Sequence, residues 1–367
     1  GELGLDIPRL KSSPTYLNKR KRQFMSTSTR RLLAIPKSFC IIDPHVHYWT
    51  PQHFSWLEGL RTSGDWKANS GREFLPSTYL EETRPLNIEQ TVHIQANWTG
   101  EDCVGETEWE QQLAGKKRNM GHPHAICSYA PLHRPQEAEE ILERHFAYPN
   151  FRGIRFMLDF DQNTPEMCQT DRDYINDPEF LSGMKLLNDY QGQIFELQVC
   201  QSQLTRAAEL VSKFPDLNFI LNHAGFPLSG EEKRVQWLEG INAVAQNENA
   251  YVKISALGMW EGGWSGVDKI TGTIEDTLLA FGPNRSMFAS NLPIDKEVTG
   301  DAVGIFDDFY RAAKGKLKLK MQDIEALFFH NASILYKLHC KHGDNLRDNN
   351  APEVWGGYGV LDDKNNR

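Results

Sequence analysis

Short apolar segments alternate with longer amphipathic segments between about residues 38 and 340 of the chain. The apolar segments are rich in β-branched and aromatic residues, which is typical of strands, whereas the segments between them have helical spacing. The predicted strands span residues 39–43, 91–95, 125–129, 151–156, 193–200, 217–222, 251–255 and 286–289. The clearest predicted helices span residues 106–114, 136–146, 177–189, 202–213 and 231–246. Eight alternating units in about 300 residues predict an α/β fold, a single-domain (β/α)8 TIM barrel with parallel strands.

Alternation within each strand predicts which side chains enter the barrel, because successive residues point to opposite faces. Between residues 194 and 199, the side chains of Phe195, Leu197 and Val199 suit packing against helices. The same pattern turns inward a set of polar side chains: Glu196, Gln198, Arg155, His93, Gln95, Lys253 and Ser255. Val, Ile and Leu normally fill such a barrel, and buried polar groups are costly unless they are paired or functional. The sequence therefore predicts a working site at the C-terminal mouth of the barrel.

The strongest local motif is Ile42-Asp43-Pro44-His45-Val46-His47, at the end of the first predicted strand. Two histidines separated by one residue project on one face of a strand. Their rings can therefore meet one metal ion or one substrate oxygen.

At these residues the chain resembles the amidohydrolase-related (amidohydrolase 2) family of metal-dependent hydrolase-like TIM barrels, in the branch with sugar lactonases and pyrone-dicarboxylate lactonase. The resemblance covers about residues 40–338 and rests on six blocks in the family order. These blocks are residues 42–47, Glu106-Thr107-Glu108-Trp109, Gly153-Ile154-Arg155, and residues 221–227, 252–257 and 281–293. Any one block is modest support, but six in order indicate the family's barrel.

The resemblance implies roles for the residues that match the family's motifs. In members that use a metal, His45 and His47 would bind one divalent ion such as zinc. In metal-free lactonases they would bind the carbonyl and carboxylate groups of the substrate instead. His223 would add a third imidazole, as a metal ligand or catalytic group. Arg155 would bind a substrate carboxylate, a role that suits its two-pronged guanidinium.

Three further polar residues are candidates for substrate binding, namely Gln95, Gln198 and Ser255. Gln198 stands where metal-using relatives of the wider superfamily often carry His, so we expect no two-metal site. Structural alternatives exist for two of the main candidates. His223 could be a hydrogen-bonded core histidine, and Arg155 could form an ion pair with Glu196.

The strand-eight motif departs from the family pattern. The family commonly has Ser-Asp-Trp-Pro there, and that Asp deprotonates the attacking water, whereas this chain has Ser290-Asn291-Leu292-Pro293. An amide cannot accept a proton at neutral pH, although it can orient water or ligate a metal through its oxygen. Asn291 is thus either a site residue or a cap for the following helix. Asp295 is either a substitute base or an Asp at the start of a surface helix.

Three tryptophans could belong either to the site or to the core. Trp49, Trp98 and Trp260 either form the floor of the pocket or belong to the aromatic core.

Composition excludes several classes of protein. The chain of 367 residues has a net charge of −9, which disfavours nucleic-acid binding. No apolar run approaches the roughly 18 residues of a membrane-spanning helix. The six cysteines are scattered, which indicates isolated thiols in a reducing compartment.

The two ends of the chain differ from the barrel. Residues 1–42 contain nine Lys and Arg against Glu2 and Asp6, a net charge of +7. We expect a basic extension over residues 1–37, the barrel over 38–340 and a polar tail over 341–367. The extension has the composition of an organellar targeting region, although a solvated arm or cloning remnant fits too. We therefore expect the cytoplasm or the mitochondrial matrix, and a homo-oligomer or protein complex could form through the tails.

Two functions from different classes remain open. The first is hydrolysis of a small lactone or related carboxylated compound, with one divalent metal or none. The second is a catalytically impaired barrel that serves as an accessory or structural subunit of a larger complex, for example a mitochondrial one. The polar interior favours the enzyme, and decarboxylation on the same fold is a lesser option.

Overall fold

Eight parallel strands form one sheet in chain order, as the alternation of segments predicts. The structure is a computed structural model that describes residues 32–62, 71–189, 193–228, 230–258 and 266–338. The strands are β1 (Cys40–Val46), β2 (Asn87–Ile94), β3 (Ala125–Ser128), β4 (Phe151–Met157), β5 (Ile194–Gln198), β6 (Asn218–Leu221), β7 (Ala250–Ile254) and β8 (Ser286–Phe288). After β8, the Asn291 N–H donates to His45 O and the His47 N–H donates to Leu292 O, both at 2.9 Å. These bonds join the two edges, so the predicted barrel is confirmed.

Helices connect the strands on the outside of the barrel. They are α1 (Trp56–Thr62), α2 (Pro76–Glu82), α3 (Val104–Gly115), α4 (Pro135–Phe146), α5 (Pro178–Asp189), α6 (Leu204–Ser212), α7 (Glu231–Ala245), α8 (Val267–Phe281), α9 (Lys296–Thr299), α10 (Ala302–Tyr310), α11 (Met321–Glu325) and α12 (Asn331–Leu335). The predicted helices match α3 to α7 within a few residues. Strand β2 begins at Asn87 rather than at residue 91, because the half-buried residues that pair with β1 carry no strand-like apolar pattern.

The interior of the barrel is apolar at one end. Ile42, Ile194, Ile220 and Met287 pack there with Tyr336, which follows α12. Two larger apolar clusters join the other face of the strands to the surrounding helices. The C-terminal segment therefore plugs the barrel, and polar interior side chains are left for the other end.

The predicted inward orientation of His93 is wrong. Val92 and Ile94 belong to the interior apolar cluster, whereas His93 contacts Glu106 and Glu110 of α3 at 3.0 and 3.1 Å. Alternation separates the two faces of a buried strand but does not say which face points into the barrel. On the outer face, the carboxyl groups of Glu106 and Glu110 are hydrogen-bonding partners for the His93 ring. Gln95 lies beyond the last residue of β2 and does reach the interior.

A buried ion pair occupies the middle of the barrel. The Lys253 Nζ lies 2.8 and 2.7 Å from the two Glu196 oxygens, and both side chains are fully buried. Asn222 and Tyr336 donate to the same carboxylate. The alternative of an Arg155–Glu196 ion pair is therefore wrong, because Lys253 reaches the carboxylate from β7.

Asp43 connects the two strands that close the barrel. Its Oδ1 accepts the Ser290 N–H at 3.0 Å, and its Oδ2 accepts the Tyr79 hydroxyl at 2.9 Å. The Ser290 hydroxyl donates to the same Oδ2, at 2.5 Å. The Asp43 carboxyl is fully buried, and burial raises its pKa while these bonds oppose the rise.

The first described residues pack against α10. The Ala34 and Ile35 N–H groups donate to Asp307 Oδ1 at 2.6 and 3.1 Å. Residues 1–31 and 339–367 lie outside the described part of the chain, and with them most of the predicted basic extension (residues 1–37) and all of the predicted polar tail (residues 341–367). Within the described ranges, no helix is long and apolar enough to cross a membrane, and the five cysteines there are free thiols.

We predict that Lys253→Met lowers the free energy of unfolding by about 3–5 kcal/mol, because it leaves the Glu196 carboxylate buried without its cation. Urea unfolding followed by tryptophan fluorescence measures the loss. The double variant Lys253→Met/Glu196→Leu removes both charges and should recover most of the stability. A single variant as stable as the wild type would contradict the importance of this pair.

Candidate active site

A bulge in β1 places His45 at the mouth of the barrel. Asp43 pairs with Thr91 and Val46 with His93, so β1 holds an extra residue at this point. His45 is fully buried, and neither of its ring nitrogens has a hydrogen-bond partner among the described residues. A buried imidazole without partners is costly unless it binds something. His45 is therefore the clearest sign of a ligand site.

His47 is fixed in one tautomer beside His45. The two ring centroids lie 5.0 Å apart. The His47 Nδ1 lies 2.8 Å from Ile94 O, and because a carbonyl only accepts, Nδ1 carries the proton and Nε2 a lone pair. Trp49 stacks on the His47 ring at 5.6 Å, so this tryptophan does border the site. Trp98 stacks instead on His53, and Trp260 lies outside the described residues.

His223 completes a cluster of three imidazoles. Its ring centroid lies 4.6 Å from that of His45, and its Nδ1 lies 2.8 Å from the Ser255 hydroxyl. The residue follows β6 and has φ 57°, in the left-handed region. Asn97, Ala256 and Asn291 share this conformation after β2, β7 and β8, with φ of 61°, 55° and 53°. Left-handed backbone is unfavourable for residues other than glycine and often occurs at functional sites.

Arg155 contacts only neutral groups. Its Nε and Nη2 donate to Gln95 Oε1 at 3.1 and 2.9 Å, and its Nη1 donates to Gln198 Oε1 at 3.1 Å. Nη2 also donates to Gln95 O. The residue is 5% exposed, and burial lowers the pKa of Arg155 to about 10. The guanidinium thus remains charged at neutral pH and forms no salt bridge within the described residues.

Sequence reasoning missed Asp159, which follows β4. Its Oδ2 accepts a hydrogen bond from Gln198 Nε2 at 2.9 Å, so Gln198 links this carboxyl to Arg155. Burial raises the pKa of Asp159 to about 6. Its position after the end of a predicted strand is the signal that could have found it, because side chains there face the mouth.

Asn291 does not cap a helix. Its amide nitrogen donates to Asp295 Oδ1 at 3.0 Å, and Asp295 is fully buried. The expectation of a surface Asp at position 295 is therefore wrong, because the turn after β8 folds this residue back under Asn291. The carboxylate can only accept, so the amide NH2 faces Asp295 and the amide oxygen points elsewhere.

The charges around the imidazoles are positive. Burial lowers the pKa of His45 well below its usual value, and the charge of Lys253 lowers it further. Burial and the charge of Arg155 act in the same direction on the pKa of His47 and of His223. All three rings are thus neutral at neutral pH, in a field that attracts anions.

The described side chains form no ready metal centre. Across the described ranges, no three His, Cys, Asp or Glu side chains are arranged to hold a metal ion. Three imidazoles can hold zinc by themselves, but the positive charges of Arg155 and Lys253 close to these rings would oppose a cation. Zinc binding by His45, His47 and His223 therefore stays a prediction, and no proposed catalytic step depends on it.

Comparison with known proteins matches the family expected from the motifs. The sequence profile of the amidohydrolase family covers residues 42–338. The chain belongs to the amidohydrolase family. The chain is similar to the uncharacterized protein y4mH of Sinorhizobium fredii, with 33% identity over 304 residues, which cover 81% of this chain and 98% of that protein. The L-fucono-1,5-lactonase of Burkholderia multivorans is 25% identical over 268 residues, 69% of this chain and 82% of that protein.

Several solved structures share the fold of this chain. An amidohydrolase from Burkholderia multivorans with bound zinc has a TM-score of 0.67 at 22% identity, covering 82% of this chain and 100% of that one. A 2,6-dihydroxybenzoate decarboxylase in complex with 2,6-dihydroxybenzoate has a TM-score of 0.55 at 16% identity, covering 83% and 100%. At such identities the likeness shows the fold alone.

Replacing Asp159 by Asn should stabilise the protein above pH 6 but not at pH 4. The pKa of Asp159 is about 6 in the folded state and about 4 in an unfolded chain. The native state therefore holds the extra proton between these values, and wild-type stability falls as the pH rises through them. We expect the difference in unfolding free energy between variant and wild type to grow by about 2–3 kcal/mol from pH 4 to pH 6. Urea unfolding at a series of pH values tests this, and a constant difference would contradict it.

Proposed function

We propose that this chain hydrolyses a small lactone that carries a carboxylate group. The observation that carries the proposal is Arg155, a buried and charged guanidinium that contacts only the neutral groups of Gln95 and Gln198. A substrate carboxylate would place a negative charge in direct contact with this guanidinium. The similarity to a lactonase supports the reaction type.

The imidazole cluster can activate water next to the bound carboxylate. The lone pair on His47 Nε2 would accept a proton from water, because the bond from Nδ1 to Ile94 O fixes the tautomer. The hydroxide adds to the lactone carbonyl carbon, the ring C–O bond then breaks, and the alkoxide takes up the proton to give a hydroxy acid. We propose that Asn291 orients the water through its amide oxygen, since its nitrogen donates to Asp295.

A second candidate function is an accessory barrel without catalysis. One observation favours it: the amide of Asn291 stands where the family carries a carboxylate, and Asp295 occupies its nitrogen. The unsatisfied nitrogens of His45 favour the enzyme instead.

Replacing Arg155 by Met should raise KM for a carboxylated lactone by about 10- to 100-fold, the value of a lost charge-assisted hydrogen bond. An uncharged lactone of the same ring size serves as the matched substrate, and its KM should rise much less. Adding Glu196→Gln should rescue neither activity nor stability, because Lys253 holds that carboxylate. Equal losses on both lactones would refute carboxylate binding by Arg155.

The strand-eight position separates the two candidate functions. Asn291→Asp alone would place the new carboxylate beside that of Asp295, because the Asn291 amide nitrogen now lies 3.0 Å from Asp295 Oδ1. Two carboxylates this close repel each other. The exchange Asn291→Asp/Asp295→Asn restores a carboxylate after β8 and keeps a hydrogen bond between the two residues.

For a lactonase, we expect this exchange to raise kcat by a detectable part of the 10²–10⁴-fold that general-base assistance typically supplies. It should also tighten zinc binding in calorimetry, because it adds an anionic ligand. A panel of carboxylated lactones assayed from pH 5 to 9 is the measurement. No hydrolysis by wild type or by the exchange variant would favour the accessory barrel.

A further inference from the structure

The Glu106 carboxylate ties helix α3 to the end of β2. Its Oε1 accepts the Ala96 N–H at 2.7 Å and lies 3.0 Å from His93 Nε2. The Tyr48 N–H donates to His93 Nδ1 at 3.3 Å, so the proton of the neutral ring lies on Nε2 and points at Glu106. Glu106 is fully buried. One oxygen thus holds both the strand and the segment that follows it.

The held segment carries the partners of two site residues. Ile94 O accepts the Nδ1–H of His47 at 2.8 Å. One residue later, Gln95 accepts from Arg155 through its backbone oxygen and through Oε1. The tautomer of His47 and the direction of the guanidinium therefore both depend on where residues 94 and 95 lie.

We propose that Glu106 is a positioning residue, which acts through Ile94 and Gln95 to fix the His47 tautomer and the Arg155 guanidinium. A carboxylate suits this role because bonds to a charged acceptor are about twice as strong as neutral ones. Its place in a reaction rests on the proposed function, but the geometry it fixes can be measured without turnover.

Helix α3 offers two matched controls. Glu110 is buried one turn further on and approaches the same imidazole, at 3.1 Å from His93 Nδ1, but it makes no bond to Ala96. Glu108 is exposed on the same helix. Glu110→Gln removes a buried acid but keeps the bond between Glu106 and Ala96. Glu108→Gln removes only a surface charge.

The first measurement is nuclear magnetic resonance of protein labelled with 15N-histidine. In the wild type the His47 Nδ1–H, assigned by its loss in His47→Asn, should exchange slowly because it is buried and bonded. Glu106→Ala should broaden or shift this resonance, and Glu106→Gln, which keeps an acceptor oxygen, should restore it in part. The two control variants should leave it unchanged.

The second measurement is the affinity for citrate, used as a carboxylate probe, by calorimetry beside thermal unfolding. We expect Glu106→Ala to weaken citrate binding at least tenfold, Glu106→Gln to weaken it less, and Glu108→Gln to leave it unchanged. Where a lactone is turned over, kcat/KM should follow the same order.

Two sets of outcomes separate the two proposals. If the wild-type protein binds citrate but hydrolyses no lactone, the proposed function is wrong. The His47 resonance and the citrate affinities of the variants would still test the role of Glu106. A Glu106→Ala variant that melts at a lower temperature yet keeps the His47 resonance and wild-type citrate affinity would overturn the positioning role. A Glu110→Gln variant that disturbs His47 as much as Glu106→Ala does would overturn it as well.

Discussion

The closure of the barrel depends on the Asp43 carboxylate. It accepts hydrogen bonds from Ser290, two residues after β8, and from Tyr79 on α2, and it is fully buried. His45 follows Asp43 by two residues, and Asn291 follows Ser290 by one. The same buried group that joins the first and last strands therefore sets the distance between the imidazoles and the amide of the candidate site.

Charge is divided between two levels of the barrel. Deeper inside, Lys253 and Glu196 neutralise each other. At the mouth, Arg155 is surrounded by glutamine oxygens, and burial together with its charge lowers the pKa of His47 and of His223. A mouth of this kind is preorganised for an anion and presents neutral nitrogens as proton acceptors. The proposal of a negatively charged substrate thus rests on the pairing of Lys253 with Glu196 and on the absence of a described ion pair at Arg155.

Much of the fold and part of the site could be predicted from the sequence. Strand order and the inward direction of Arg155, Glu196 and Lys253 follow from local alternation, because each strand carries a clear apolar face. His93 and Asp295 were misplaced because their environments come from distant residues, in one case the carboxyl groups of α3 and in the other the turn after β8. Local patterns also could not predict the partner of Arg155. Lys253, on another strand, pairs with Glu196, so Arg155 contacts glutamine side chains instead.

The plug formed by Tyr336 has a consequence for synthesis of the protein on the ribosome. Its hydroxyl donates to Glu196, and Arg152 Nε donates to Tyr336 O at 2.7 Å. On the ribosome, the edge of β1 has no partner until β8 and the residues up to Leu292 leave the exit tunnel, and the plug is absent until Tyr336 follows them. Without the plug, the ion pair between Lys253 and Glu196 remains in contact with water. Burial of the barrel interior therefore has to wait for synthesis of the chain up to Tyr336, so the barrel folds as one unit and not strand by strand.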